Sequence, residues 1–348
     1  MTRGPSPYGC YLSVVAVARN DDHGGNLLER MQLFVSGLAD QCRKYVIDAE
    51  LILVEWNPPT DRPDLAHVLH WPSRTPLRYR IVRVPPNVHE QFEHASGLPL
   101  FQMIAKNVGI RRAEGRFVLA TNIDILFNDA LMSHLASHPL IENTVYRIDR
   151  YDIPSDWPAN MPTEQILAKA PEVVVRVNRK LGSSHEETGK FHRVHKDPSL
   201  KVMLRELLSD LGLRGPTTVK RLHTNACGDF TMMARRHWFD LRGYAQWPMY
   251  SMHLDSVLLQ AAVLNGLNEE VLPDPMRIYH LEHAAGSGFT PETEHKLNDR
   301  LKQSGVPRMS DREYLDLAVA MRAGRKPLIV NGEDWGLRDA SLTEVVPA

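Results

Sequence analysis

The stretch RFVLATNIDILF, residues 116–127, is apolar enough for a buried strand, yet Thr121, Asn122 and Asp124 interrupt it. Polar groups at the end of a core strand are costly to bury unpaired. They either turn into water or hold something. Asn20 and Asp21, with Arg19 before them, end the apolar run 11–19 in the same manner, and Glu55 and Asn57 end the run 50–56. Carboxylates and amides accept from hydroxyl and N–H donors, and their oxygens are ligands for hard cations. A second group sits late in the chain: His280 and His283 flank Glu282 in YHLEH. Imidazole is a good ligand for borderline cations. Strand alternation sends His280 and Glu282 to one face and His283 towards the other. His185, His192 and His195 form a third group, whose spacing fits no standard zinc motif.

The elements that must position these residues follow from the apolar periodicity. Strands are expected at 11–19, 50–56, 77–85, 116–122 and 144–153, with helices at 26–42, 64–71, 98–115 (closed by Gly115) and 128–138, the last with Asn128 as N-cap. Strand and helix in alternation mean βαβ units and a mainly parallel sheet with helices on both faces. Such sheets bind ligands beyond the carboxyl ends of their strands, which is where three strands deliver their polar residues. The stretch 154–200 is rich in Pro, Ser, Glu and His; it holds short candidates at 163–170 and 171–180 and a loop over 182–198. An amphipathic helix is expected at 199–213, strands at 217–223 and 229–235, helices at 236–244 and 251–267, and a last strand at 276–283. Two amphipathic helices and a tail fill 291–348, and no internal repeat is visible.

The chain has 348 residues, enough for one large α/β domain with additions or for two domains. Its 43% hydrophobic and 24% charged content suits a packed core. A net charge of −1 gives no general electrostatic reason to bind nucleic acid. Three scattered cysteines support neither a disulfide framework nor a cysteine zinc site and point to a reducing cytoplasm. No apolar signal core or membrane-length run stands out, so a soluble protein is expected, with residence at a membrane surface left open.

Three stretches together resemble the GT-A fold glycosyltransferases, in particular the large inverting family 2 group. The first, AKNVGIRRAEGRFVLATNID (105–124), carries Asn107, Gly109, Ala113 and Gly115 ahead of a core strand that runs into a DXD-like motif. The second, NACGDFTMMARRHWFDLRGY (225–244), is similar to the acceptor-side segment, and the third, HLDSVLLQAAVLNG (253–266), to the helix headed by Glu-Asp and ended by Gly, here Gly266. Two departures stand out: Asn122 occupies the acidic first position of the DXD-like motif, and Leu254 replaces the Glu. The likeness spans residues 11–283.

The resemblance implies a GT-A (Rossmann-like) domain that moves a hexosyl group from a nucleoside-diphosphate sugar, a UDP sugar being the expected donor, to an acceptor hydroxyl. Arg19, Asn20, Asp21, Glu55, Asn57, Lys106, Asn107, Asn122 and Asp124 would bind the donor. Asp124, with His280 or His283, would hold Mn²⁺ or Mg²⁺ against the diphosphate. Asp255 would be the general base, kept ionised by its place at a helix start, with His253 assisting. Gly228, Asp229, Trp247, Tyr250 and His253 would face the acceptor, which the sequence does not name: a glycan, a lipid or a small molecule. The His-rich loop would be a mobile lid on the acceptor side.

The expected organisation is a nucleotide-sugar half at 11–153, an insertion at 154–222, an acceptor half at 223–283 and a helical extension at 284–348. A retaining GT-A transferase, a sugar-nucleotide pyrophosphorylase with a poor phosphate loop in NDDHGGN, and an inactive sugar- or nucleotide-binding protein are the competing readings. Oligomeric state is open.

Overall fold

A computed structural model describes residues 8–158, 161–194, 200–213, 215–216, 218–283 and 294–347. The strongest apolar run gives the innermost strand: all of β1 (Cys10–Ala18) is buried. After it come α1 (Leu27–Tyr45), β2 (Ala49–Trp56), α2 (Leu65–Val68), β3 (Leu77–Val84), α3 (Pro86–His89), α4 (Gln102–Arg112), β4 (Gly115–Thr121) and β5 (Ile125–Phe127). The middle of the chain forms α5 (Asp129–Ala136), β6 (Thr144–Ile148), β7 (Arg150–Ile153), α6 (Thr163–Lys169), β8 (Arg176–Arg179), β9 (Gly182–His185), β10 (Phe191–Arg193) and α7 (Leu200–Asp210). The remainder supplies β11 (Phe230–Ala234), α8 (Arg235–Asp240), α9 (Leu254–Leu264), β12 (Asn268–Leu272), β13 (Ile278–Leu281), α10 (Glu294–Ser304), α11 (Asp311–Arg322) and β14 (Thr343–Val345).

The central sheet has eight strands in the order β12-β6-β11-β4-β1-β2-β3-β14. β4, β1, β2 and β3 run parallel; β11 lies antiparallel between β4 and β6, β12 is parallel to β6, and β14 is antiparallel to β3. The expected α/β architecture, a mainly parallel sheet flanked by helices, is the one found. Leu12, Val14 and Ala16 of β1 pack with α1 on one face, and Val15 and Val17 pack with α4 and α9 on the other, as a period of two requires. The second sheet has the order β10-β9-β8-β7-β13-β5. Its outer strands β8, β9 and β10 come from the stretch 154–222 expected to be an insertion, and extend this sheet from β7.

Several expectations need correction. The expected strand 144–153 is two strands in two sheets, with the corner at Asp149. Both halves are buried, so the apolar pattern runs through the corner unmarked. Gly115 does not close a helix; α4 ends at Arg112 and Gly115 opens β4, where a Cβ would stand 2.4 Å from the Ser13 amide nitrogen. The loop expected at 182–198 is a hairpin of β9 and β10 over its described part, and His195 lies outside the described residues. Residues 218–223 form no strand. The strand at 276–283 is not the last, because β14 follows and pairs with β3. Asn128 does cap α5, accepting from the Leu131 N–H at 3.0 Å.

Candidate active site

β4 ends at Thr121, and the chain turns through Asn122, Ile123 and Asp124 into β5. β13 lies beside β5, and the Leu281 N–H donates to the Asp124 carbonyl at 2.9 Å. That bond brings the end of β13 to Asp124. His280 Nε2 stands 3.7 Å and His283 Nε2 3.5 Å from Asp124 Oδ2. Alternation had separated the two histidines. They converge because β13 stops at Leu281 and the chain turns, bringing the ring centroids to 5.4 Å.

Asp124 is 5% exposed, and its Oδ2 accepts from Arg30 Nη1 at 2.9 Å. Its Oδ1 is buried and makes no hydrogen bond among the described residues. The Asp124 carboxylate and the two imidazoles each offer a ligand atom, all within 4.8 Å of one another, and the second carboxylate oxygen has no protein partner among the described residues, an arrangement that fits a bound cation. Burial pushes the His283 imidazole down to about 4, so it is a neutral donor at physiological pH. Burial also opposes charge on His280, yet the carboxylates of Asp124 and Asp152 more than offset this and raise it.

Sequence reasoning missed three residues that hold this centre together. Arg30, buried on α1, also donates through Nη2 to the carbonyls of His23 (2.6 Å) and Gly25 (3.2 Å), which ties the loop after β1 to Asp124. The signal was present: an arginine beside Leu27, Met31 and Phe34 on an apolar helix face. Asp152 and Arg150 alternate on β7, as RYD in an apolar run could have suggested. Arg150 Nη1 donates to Asp229 Oδ2 at 2.5 Å, and its Nη2 donates to Asp152 Oδ2 at 3.1 Å. Burial would raise the carboxyls of Asp152 and Asp229, but Arg150 holds both below the usual range.

Asn122 joins this chain of charges. Its amide nitrogen donates to Asp229 Oδ1, and its Oδ1 accepts from Gln102 Nε2 at 2.8 Å. Asp229 is therefore held by Asn122 and Arg150.

On the expected acceptor side, Asp255 lies in the first turn of α9. Its Oδ1 accepts from the Ser256 N–H at 2.7 Å. Its Oδ2 faces Gly228, where a Cβ would come within 3.3 Å of it. Lys106 donates to the Gly228 carbonyl at 2.6 Å. Burial pushes the Lys106 ammonium down to about 8, against the pull of Asp229, Asp255 and Asp124. Lys106 thus lies in the field of all three carboxylates. His253 turns away: Nε2 is 2.8 Å from Asp311 Oδ1, and the ring stacks on Tyr314 of α11. Trp247 packs half-buried on the α4–α9 core, and Tyr250 packs against Leu297 and Leu301 while its N–H donates to the Pro307 carbonyl.

The expected donor side is partly consumed by the framework. Glu55 is fully buried; Oε1 accepts from the Leu65 N–H at 2.8 Å and Oε2 from Arg83 Nε at 3.1 Å. It anchors the start of α2 instead of lining the cleft. Asn107 clamps Tyr244, donating to its carbonyl and accepting from its N–H, both at 2.8 Å. Arg19 donates to the Asn57 carbonyl (2.6 Å) and to Asp21 (2.7 Å), which joins three expected donor residues in one cluster. Asn20 donates to the Pro63 carbonyl at 2.8 Å while its Oδ1 is buried without a hydrogen bond.

No protein-family model matches the chain, and no curated protein matches it. Among solved structures the chain is similar to S. aureus TarS 1–349, with a TM-score of 0.45 and 14% identity over 90% of this chain and 71% of that one. No helix among the described residues is long and apolar enough to cross a membrane.

Proposed function

We propose that this protein is a glycosyltransferase that moves a sugar from a nucleoside-diphosphate sugar to an acceptor hydroxyl. The observation that carries the reading is Asp124 with His280 and His283: an orphaned buried carboxylate oxygen and two imidazoles, at the carboxyl edge of a mainly parallel sheet. The motif resemblance of residues 105–124, 225–244 and 253–266 supports it.

In this reading Asp124, His280 and His283 would hold a divalent cation, which would supply positive charge against the departing diphosphate. Arg30 fixes Asp124 and the loop after β1 in one arrangement. Arg19, Asn20, Asp21 and Asn57 line the donor side. Asp255 accepts the acceptor hydroxyl proton as that oxygen attacks the anomeric carbon, giving inversion. Gly228 leaves room for the acceptor next to Asp255 Oδ2. Lys106 balances the charge of the surrounding carboxylates and holds the Gly228 carbonyl. A UDP sugar is the proposed donor.

Thermal melting with UDP, GDP, CDP and dTDP, each with and without Mn²⁺, tests this. A ligand at ~100 times its dissociation constant adds about 2.7 kcal/mol. The expected result is a shift with UDP that grows with Mn²⁺. No shift with any nucleotide would overturn the donor site.

A further inference from the structure

A second buried carboxylate stands behind the candidate cation ligands. Asp152 is 1% exposed on β7, and it stands on the far side of His280 from Asp124. Its Oδ1 lies 3.2 Å from His280 Nδ1, at ion-pair distance but outside hydrogen-bond geometry, while His280 Nε2 lies 3.7 Å from Asp124 Oδ2. The imidazole is thus bracketed by one carboxylate at each nitrogen.

Asp152 is itself fixed from several sides. Arg150 Nε is 2.8 Å from Oδ1, and Arg150 Nη2 and Asn178 Nδ2 each donate to Oδ2 at 3.1 Å. Ser183 Oγ in turn donates to Asn178 Oδ1 at 2.6 Å. Asn178 and Ser183 belong to β8 and β9, so strands of the insertion set the position of a carboxylate behind the cation centre.

A neutral imidazole carries its proton on one nitrogen and offers its lone pair on the other. Histidines that bind metals commonly donate the remaining N–H to a carboxylate, which fixes tautomer and ring orientation and raises basicity. We propose that Asp152 is a positioning residue that keeps His280 in the Nδ1–H tautomer, so that Nε2 presents its lone pair to a divalent transition-metal ion shared with Asp124 and His283. This rests on the cation site of the glycosyltransferase reading and deepens it: it names His280 as an oriented ligand and the insertion as part of the metal centre.

Two measurements on the full chain test it. Nitrogen-15 NMR of the metal-free wild-type protein near pH 9, with His280→Gln for assignment, reads the tautomer directly. Manganese EPR and cobalt absorption titrations then compare wild-type protein with Asp152→Asn. The expected results are an Nδ1–H tautomer, a 10- to 100-fold weaker Mn²⁺ affinity in Asp152→Asn, and an altered cobalt spectrum. An Nε2–H tautomer overturns the proposal, and so do equal Mn²⁺ affinities of wild type and variant. If Asp152→Asn does not fold, the wild-type tautomer still decides. A wild-type protein that binds neither Mn²⁺ nor Co²⁺ overturns the cation site itself, and this role with it. That outcome is distinguishable because the tautomer is read without metal.

Discussion

Asn122 and Asp229 meet side chain to side chain where β4 ends and β11 begins, the amide of the first donating to the carboxylate of the second. Thr121 Oγ1 donates to the Asp229 carbonyl at 2.7 Å, so the same strand end grips Asp229 twice. This accounts for an amide where the resembling family carries an acid. A carboxylate at position 122 would confront the buried Asp229 carboxylate, which already has Arg150.

Asn122→Asp is therefore expected to destabilise the protein by about 1–3 kcal/mol at pH 7.5, through a lost donor and a like-charge contact. One carboxyl of the new pair would have a folded-state pKa above its unfolded value. The loss should shrink as pH falls and the pair takes up a proton, and be full once pH exceeds the raised pKa. Differential melting of both proteins between pH 5 and pH 8 reads this. A variant as stable as wild type throughout would show that the Asn122 donor is dispensable.

Asp255→Asn is expected to lower kcat by ~10²–10⁴-fold, the usual scale of general base catalysis. The nucleotide-dependent melting shift should persist, because Asp255 is assigned to the acceptor. Turnover unchanged from wild type would remove Asp255 from the role of base.

One carboxylate and two imidazoles form a softer ligand set than an all-oxygen site, so Mn²⁺ and Co²⁺ should stabilise the protein more than Mg²⁺ at equal concentration. In Asp124→Asn the cation effect should vanish. The variant should also lose about 3–5 kcal/mol, the scale for breaking a buried ion pair, because Arg30 is 2% exposed. Isothermal titration and denaturant unfolding give the two quantities separately. Equal responses to Mg²⁺ and Mn²⁺ would argue for oxygen ligands alone.

His223 is fully buried, with Nε2 2.9 Å from Asp149 Oδ1 at the corner between β6 and β7. Burial lowers its pKa below the ordinary 6.5, and Asp149 only partly opposes this. The unfolded chain then binds more protons, so stability should fall as pH drops below about 6.5 and be retained above it. His223→Gln should flatten that dependence in urea unfolding at pH 5.5 and 7.5. An unchanged slope would mean that other buried groups carry it.

The sequence made the inner strands of the central sheet legible because they are apolar and punctuated; the edge strands β12 and β14, short and partly exposed, were not. β1, β2, β3 and β4 fall where the runs of Val, Leu and Ile lie, and β11 falls in the apolar stretch FTMMA. Asp124, His280 and His283 were legible by residue type, and the fold brings them together. Glu55 and Asn107 were not, because a polar residue at a strand end or on a helix looks the same whether it faces a ligand or caps a neighbouring segment. His253 was lost for the same reason, to Asp311 of a helix far along the chain. Arg150 and Asp152 escaped notice because their partners come from three distant segments, at Asp229, on β8 and at His280, and no local period encodes such pairings.

β14 has a consequence for assembly of the fold. It borders β3 by antiparallel pairing, and Glu344 meets Arg80 of that strand at 2.9 Å. Until this distant segment arrives, β3 presents an open row of amide and carbonyl groups, a template for any other extended chain. Closing so long a loop is slow compared with forming the local βαβ units. Folding at high concentration thus becomes a race between self-completion of the sheet and capture by a neighbouring molecule.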